Sequence, residues 1–258
     1  MMQNVSAGDS FSCKTARGRM VSLPAAKFKL LLLGRFQLIG PDGPVDLPNK
    51  KLAGLLAYLA YTVPEPQPRE KLTHLLWGSH FEVQARQNLR QALFRLRRVL
   101  GEETLISAGE TVSLRPSVIA CDVAQFGALL ADGSRDALNN AVGLYRDALM
   151  ADIAIPEEAW TEWVDGKRLR LEGLALDALV KLGGRELEAG SYEAALNAGN
   201  RAIAVSSLRE DAHRLLMRAL AAAASSCFER QPTQALTVTS RNCRLPRCSD
   251  FARNRRVN

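Results

Sequence analysis

Apolar residues along this chain follow two rhythms. From Phe28 to Leu47 the apolar runs are short. Phe28 to Leu33 is continuous, Arg35-Phe36-Gln37-Leu38 alternates, and Val45 to Leu47 follows a Gly40-Pro41-Asp42-Gly43-Pro44 turn. These stretches predict a small antiparallel sheet, with Gly34 at a bulge or turn. The spacing then lengthens to that of helices. Leu52, Leu55, Leu56 and Leu59 predict a helix from Lys50 to Tyr61 with Asn49 as its N-cap. Pro64, Pro66 and Pro68 break it, and Leu72, Leu75 and Leu76 predict a second helix over 69–77, stopped by Gly78. In the third, Gln84 to Gly101, Leu89, Leu93, Leu96 and Leu100 share one stripe. Thr104 to Ile106 and Thr111 to Leu114, turning around Gly109, predict a hairpin. Strands, three helices and a closing hairpin make a winged helix-turn-helix, with the third helix as recognition helix and the hairpin as wing.

Beyond Cys121 the helical rhythm takes over. Asp122 is placed to cap a helix over 123–131. Ser134 is placed to cap the next, with Leu138, Ala141, Val142, Tyr145 and Leu149 on one face. A long helix follows over 157–189, with Trp160, Trp163, Leu171, Leu174 and Leu179 inward and a break or kink at Gly183-Gly184. Helices over 192–205 and 209–224 complete the pattern. Ala141-Val142 and Ala148-Leu149 recur as Ala195-Leu196 and Ala202-Ile203, and Gly190-x-Tyr192 opens the second set. Two readings stay open: a tetratricopeptide-like repeat, or alanine-rich helix packing without a repeat. The fold class is therefore mainly α, a winged helix followed by a tetratricopeptide-like helical domain.

Charge divides the chain at nearly the same places. Residues 27–118 hold thirteen basic and eight acidic residues, while 119–224 hold eleven basic and sixteen acidic. A basic front and an acidic second half predict a polyanion-binding domain joined to one with a different task. Residues 1–26 read as a disordered N-terminal arm and 225–258 as an irregular basic tail. No apolar run approaches the length of a membrane span or a secretory h-region, so a cytoplasmic protein is expected. Five scattered cysteines and three histidines offer no metal spacing, and no cofactor is implied. GxxxxGK(S/T), GxSxG and HExxH are absent, so the chain reads as no enzyme. Glu157, Glu158 and Asp211 read as solvated charge on helices.

The third helix carries the chemistry. Opposite its leucines lie Gln87, Gln91, Phe94 and Arg98, flanked by Arg86, Arg90, Arg95 and Arg97: five arginines and no acid. Guanidinium forks suit phosphate and the O6/N7 edge of guanine and glutamine suits adenine, while Phe94 suits a thymine methyl or, equally, packing on the wing or on polymerase. Arg90, Gln91, Phe94 and Arg98 are thus candidates for base edges in double-stranded DNA. Lys50, Lys51, Arg97 and Arg115 are candidates for phosphates. A helical-repeat adaptor that binds proteins and not DNA is the competing class.

Five blocks in this order, LLGRFQL (32–38), LPNKKLAGLLAYLA (47–60), REKLTHLLW (69–77), NLRQALFRLRRVLG (88–101) and LREDAHRLLMRAL (208–220), resemble the streptomyces antibiotic regulatory protein family. The resemblance implies a response-regulator-type winged helix and a bacterial transcriptional activator domain. It further implies a DNA-binding activator that recognises repeated sites and recruits RNA polymerase, with Arg86, Gln87, Arg90, Gln91, Phe94, Arg95 and Arg98 facing the groove by position, and it leaves homodimerisation open. After Ala224 the chain departs from the family pattern: the helical stripe fades while arginine and cysteine rise. That departure reads as a truncated or frame-shifted end, hence a non-functional remnant, or as a basic tail.

Overall fold

The computed structural model describes residues 26–229. The chain opens with β1 (Phe28–Leu31), β2 (Gln37–Gly40) and β3 (Gly43–Pro44). The third strand sits earlier than the sequence pattern predicts, because Gly40 pairs with Gly43 and closes a two-residue turn. Helix α1 (Lys50–Thr62) starts where Asn49 Oδ1 accepts the Leu52 N–H at 2.7 Å. Then come β4 (Gln67–Pro68), α2 (Arg69–Trp77) and α3 (Glu82–Leu100). A single 3-10 turn at Glu102–Thr104 leads into the wing, β5 (Leu105–Ala108) and β6 (Thr111–Leu114), and then β7 (Ile119–Cys121).

Two of these strands are not predicted by the sequence pattern. β4 lies between prolines and pairs antiparallel with β6, tying the wing to the start of α2 in a sheet of order β4-β6-β5. β7 runs parallel to β1, with Phe28 opposite Ile119 and Leu30 opposite Cys121. The first sheet therefore has the order β3-β2-β1-β7 and is mixed, not purely antiparallel.

The second half is helical: α4 (Asp122–Asp132), α5 (Arg135–Leu144), α6 (Glu158–Glu188), α7 (Tyr192–Val205) and α8 (Glu210–Glu229). Consecutive helices pack on one another from α4 to α8. Ser134 caps α5 as expected, its Oγ accepting the Ala137 N–H at 3.2 Å. α5 ends at Leu144, and Leu149 instead forms a β-bridge with Leu33. α6 runs unbroken through Gly183-Gly184. A Cβ at Gly183 would stand 2.4 Å from Leu215 Cδ2, so the glycine seats α8 instead of breaking the helix. Leu174, expected inward, is 36% exposed, whereas Trp160, Leu171 and Leu179 are buried. α8 continues to Glu229, beyond the helix end expected near Ala224. The arm and the rest of the tail lie outside the described residues.

One apolar core runs through both halves. Leu30, Leu55, Leu76, Leu96 and Val112 share it with Phe126, Ile155 and Trp160. Gly54 makes the junction: a Cβ there would lie 2.6 Å from Ile155 Cδ1 and 3.1 Å from Trp160 Cη2. Close packing of this kind transmits displacement instead of absorbing it. Tyr58, Tyr61 and Trp160 surround Trp163 with ring centroids 4.9, 5.7 and 5.1 Å away.

Candidate nucleic-acid interface

Helix α3 is amphipathic in the sense its leucines predict. Ala85, Leu89, Ala92, Leu93, Leu96 and Leu100 are buried, and the helix packs against α1 and α2. The opposite arc is open: Arg86, Gln87, Arg90, Gln91, Phe94, Arg95 and Arg98 are all exposed, Phe94 at 58%. The acidic half does not cover this arc. Among the described residues, Arg90, Arg95 and Arg98 form no salt bridge, which leaves three guanidinium groups without an internal counter-charge. Arg86 pairs with Glu82 one turn back, an exposed pair of small energetic weight. The helix stops at Gly101, whose N–H bonds Arg97 O at 2.8 Å.

A groove runs along each side of α3. One, of about 780 Å³, separates Arg86, Arg90 and Arg97 from Arg69 and Gly109 at the wing turn. The other, of about 460 Å³, lies between Asn88, Gln91 and Arg95 and the start of α1, with Ile155 and Pro156 on its rim. The second half thus borders the helix without masking it.

The four phosphate candidates differ in circumstance. Lys50 and Arg115 are exposed, and Arg115 Nε donates to Glu103 O at 3.1 Å. Arg97 is half-buried and its guanidinium donates to Ser107 Oγ at 2.6 Å, so it fastens α3 to the wing. Lys51 is a correction. Its ammonium lies 2.7 Å from Glu157 Oε1, and its side chain is only 24% exposed. It serves the junction between the halves and leaves the phosphate set. Glu157 is equally a correction: the residue is 6% exposed, not solvated. Burial works to raise its carboxyl, but the bonds from Lys51 and Ser79 prevail and hold it below the usual glutamate value.

Asp122 departs from expectation too. It stands at the first position of α4, yet that helix has no side-chain cap. Its carboxylate accepts the Leu32 N–H at 2.8 and 2.9 Å and the Leu33 N–H at 3.0 Å, just past β1. Burial pushes this carboxyl up, against those bonds and the nearby Arg146. The sequence pattern gives no sign of Phe81 or Val83 either. They flank the start of α3 and are 91% and 83% exposed.

Residues 121–227 match the family described as Bacterial transcriptional activator domain. That match takes in the helices α4 to α7 and most of α8. Part of the chain is similar to Regulatory protein AfsR of Streptomyces griseus, with 27% identity over 161 residues, which cover 58% of this chain and 16% of that protein. Its fold is similar to that of Mycobacterium tuberculosis EmbR, solved in complex with a low affinity phosphopeptide. The TM-score is 0.66 at 19% identity, over 78% of this chain and 56% of the other. The chain thus spans only part of the length of either relative. The match to the activator-domain family, the AfsR similarity and the winged helix before the matched residues agree with the resemblance to the streptomyces antibiotic regulatory protein family. Among the described residues no helix is long and apolar enough to cross a membrane, and no three His, Cys, Asp or Glu side chains converge as metal ligands would.

Proposed function

We propose that the chain is a DNA-binding transcription activator of the cytoplasm that docks α3 in the major groove and offers its activator domain to RNA polymerase. The observation that carries this reading is the exposed arc of α3, where seven groups suited to base edges stand together and three arginines form no salt bridge among the described residues. Arg90, Gln91, Phe94 and Arg98 read base edges. Arg86, Gln87 and Arg95 line the same arc, while Lys50 and Arg115 hold phosphates. Arg97 keeps the wing in register. No step of this activity requires catalysis or a cofactor. Binding to repeated sites would seat two copies side by side, as a dimer in solution or one formed on the DNA.

Selection of a duplex from a random pool, followed by mobility shift, tests the reading. The parent chain enriches a defined sequence, and Arg90→Ala or Arg98→Ala lowers affinity for it by ~1–3 kcal/mol. Lys50→Ala weakens all duplexes alike and reduces the salt dependence by about one counterion. A chain that enriches no sequence at low salt refutes the reading. Transcription from the selected site with purified polymerase then tests activation.

A further inference from the structure

The turn between α2 and α3 is held from the other half of the molecule. Glu157 occupies the N-cap position of α6 but makes no capping bond there. Its carboxylate points across the junction. Oε1 accepts from Lys51 Nζ at 2.7 Å and from Ser79 Oγ at 2.9 Å, and Oε2 accepts the Ser79 N–H at 2.9 Å. Lys51 is in the first turn of α1, and Ser79 lies three residues before α3 begins. One buried side chain therefore joins the first helix, the helix-turn-helix turn and the start of the activator domain.

Among the described residues, no other side-chain hydrogen bond reaches that turn. α3 has Phe81 at its N-cap and no side-chain cap, and the His80 N–H bonds Trp77 O at 3.0 Å within the turn. Glu157 itself cannot drift. Ile155 and Trp160 on either side of it press into the space left at Gly54 of α1. A buried ion pair is weak grounds for stability, since apolar residues of like volume often serve as well. Its directional bonds instead select one geometry, as charge-assisted bonds do.

We infer that Glu157 is a positioning residue for base recognition: through Ser79 and Lys51 it sets how α3 leaves the turn, so DNA readout depends on a side chain of the activator domain. This rests on the DNA-binding reading above. By thermodynamic reciprocity, a partner whose binding displaces the start of α6 changes DNA affinity, and DNA changes that partner's affinity by the same factor.

The test uses the full chain and the duplex that the parent enriches. Glu157→Gln keeps the volume but has one acceptor oxygen for two sites, so its amide N–H₂ faces either the Ser79 N–H or the Lys51 ammonium. Affinity for the selected duplex falls about 5- to 150-fold, the usual range of coupling between sites. The preference over a scrambled duplex falls with it. The slope of log affinity against log salt stays at the parent value, because no phosphate contact is lost. A merely structural role would lower the melting temperature and leave that preference intact among folded molecules. Ser79→Ala, in the turn itself, is read by the same criteria and decides the matter if Glu157→Gln does not fold. Preference within twofold of the parent in the folded variants overturns this inference alone. A parent that enriches no sequence overturns the DNA reading and this inference together.

Discussion

Asp122 and Glu157 both stand where a helix of the second half begins, and both send a carboxylate into the first half. At the sheet end, Asp122 meets the backbone N–H groups of Leu32 and Leu33, with Arg146 at 3.7 Å. At the helix end, Glu157 meets an ammonium at 2.7 Å together with Ser79. The outcome for the two acids is opposite. With mainly backbone dipoles against it, Asp122 keeps a raised carboxyl, because burial outweighs its bonds. With a cation in contact, Glu157 is held ionised below its usual value despite its burial. The balance between burial and the bonds that favour the charged form, and not burial alone, decides which way such an acid shifts.

The largest expected effect is at the sheet end. Asp122→Ala strands two N–H groups in the core, at a cost of ~1–3 kcal/mol each. The urea midpoint should fall well below that of Glu157→Gln, which retains part of its bonding. Equal midpoints would mean that the two ends carry similar weight.

Acid titration separates the ends by sign. Glu157 has a folded value below its ordinary 4.5, so its contribution is present above that pH and is lost as pH falls through the folded value. Asp122 has a folded value above its ordinary 3.8, so its contribution is present below that pH and is lost as pH rises through the folded value. Melting temperature followed from pH 5 downward, a window of about two units, should therefore fall less steeply in Glu157→Gln than in the parent. In Asp122→Asn it should fall more steeply. Parallel curves would remove the contrast.

The smallest effect is a reporter beside Asp122. Burial, aided by the Asp122 charge, pushes the Cys121 thiol up to about 11. It should alkylate slowly at neutral pH, and somewhat faster in Asp122→Asn, as read by mass mapping.

Local periodicity made much of the fold legible. α2 and α7 have the ends that their leucine and alanine spacings predict, and the stripe of α3 exposes the arc opposite it. Features that depend on distant partners were not legible. β7 is three residues long and finds β1 some ninety positions earlier. Asp122 looks like a cap and Glu157 like surface charge, because acids at helix starts usually are. Lys51 could not be told from Lys50 without knowing that Glu157 would arrive beside it. Leu174 fits the inward stripe of a single helix, but α6 is 31 residues long and changes neighbours along its length. At the candidate interface, the sequence pattern supplied the arc and its chemistry; the tie that holds its first turn came only from the folded chain.

The parallel pairing of β7 with β1 bears on protein engineering. Residues 119–121 supply the outer strand of a sheet whose other strands come from positions 28–44. A recognition module cut before Ile119 and grafted onto another effector would carry β1 as a bare edge, the kind of edge that recruits foreign strands and aggregates. Grafts that keep the chain through Asp122 would retain both that strand and the carboxylate that closes it.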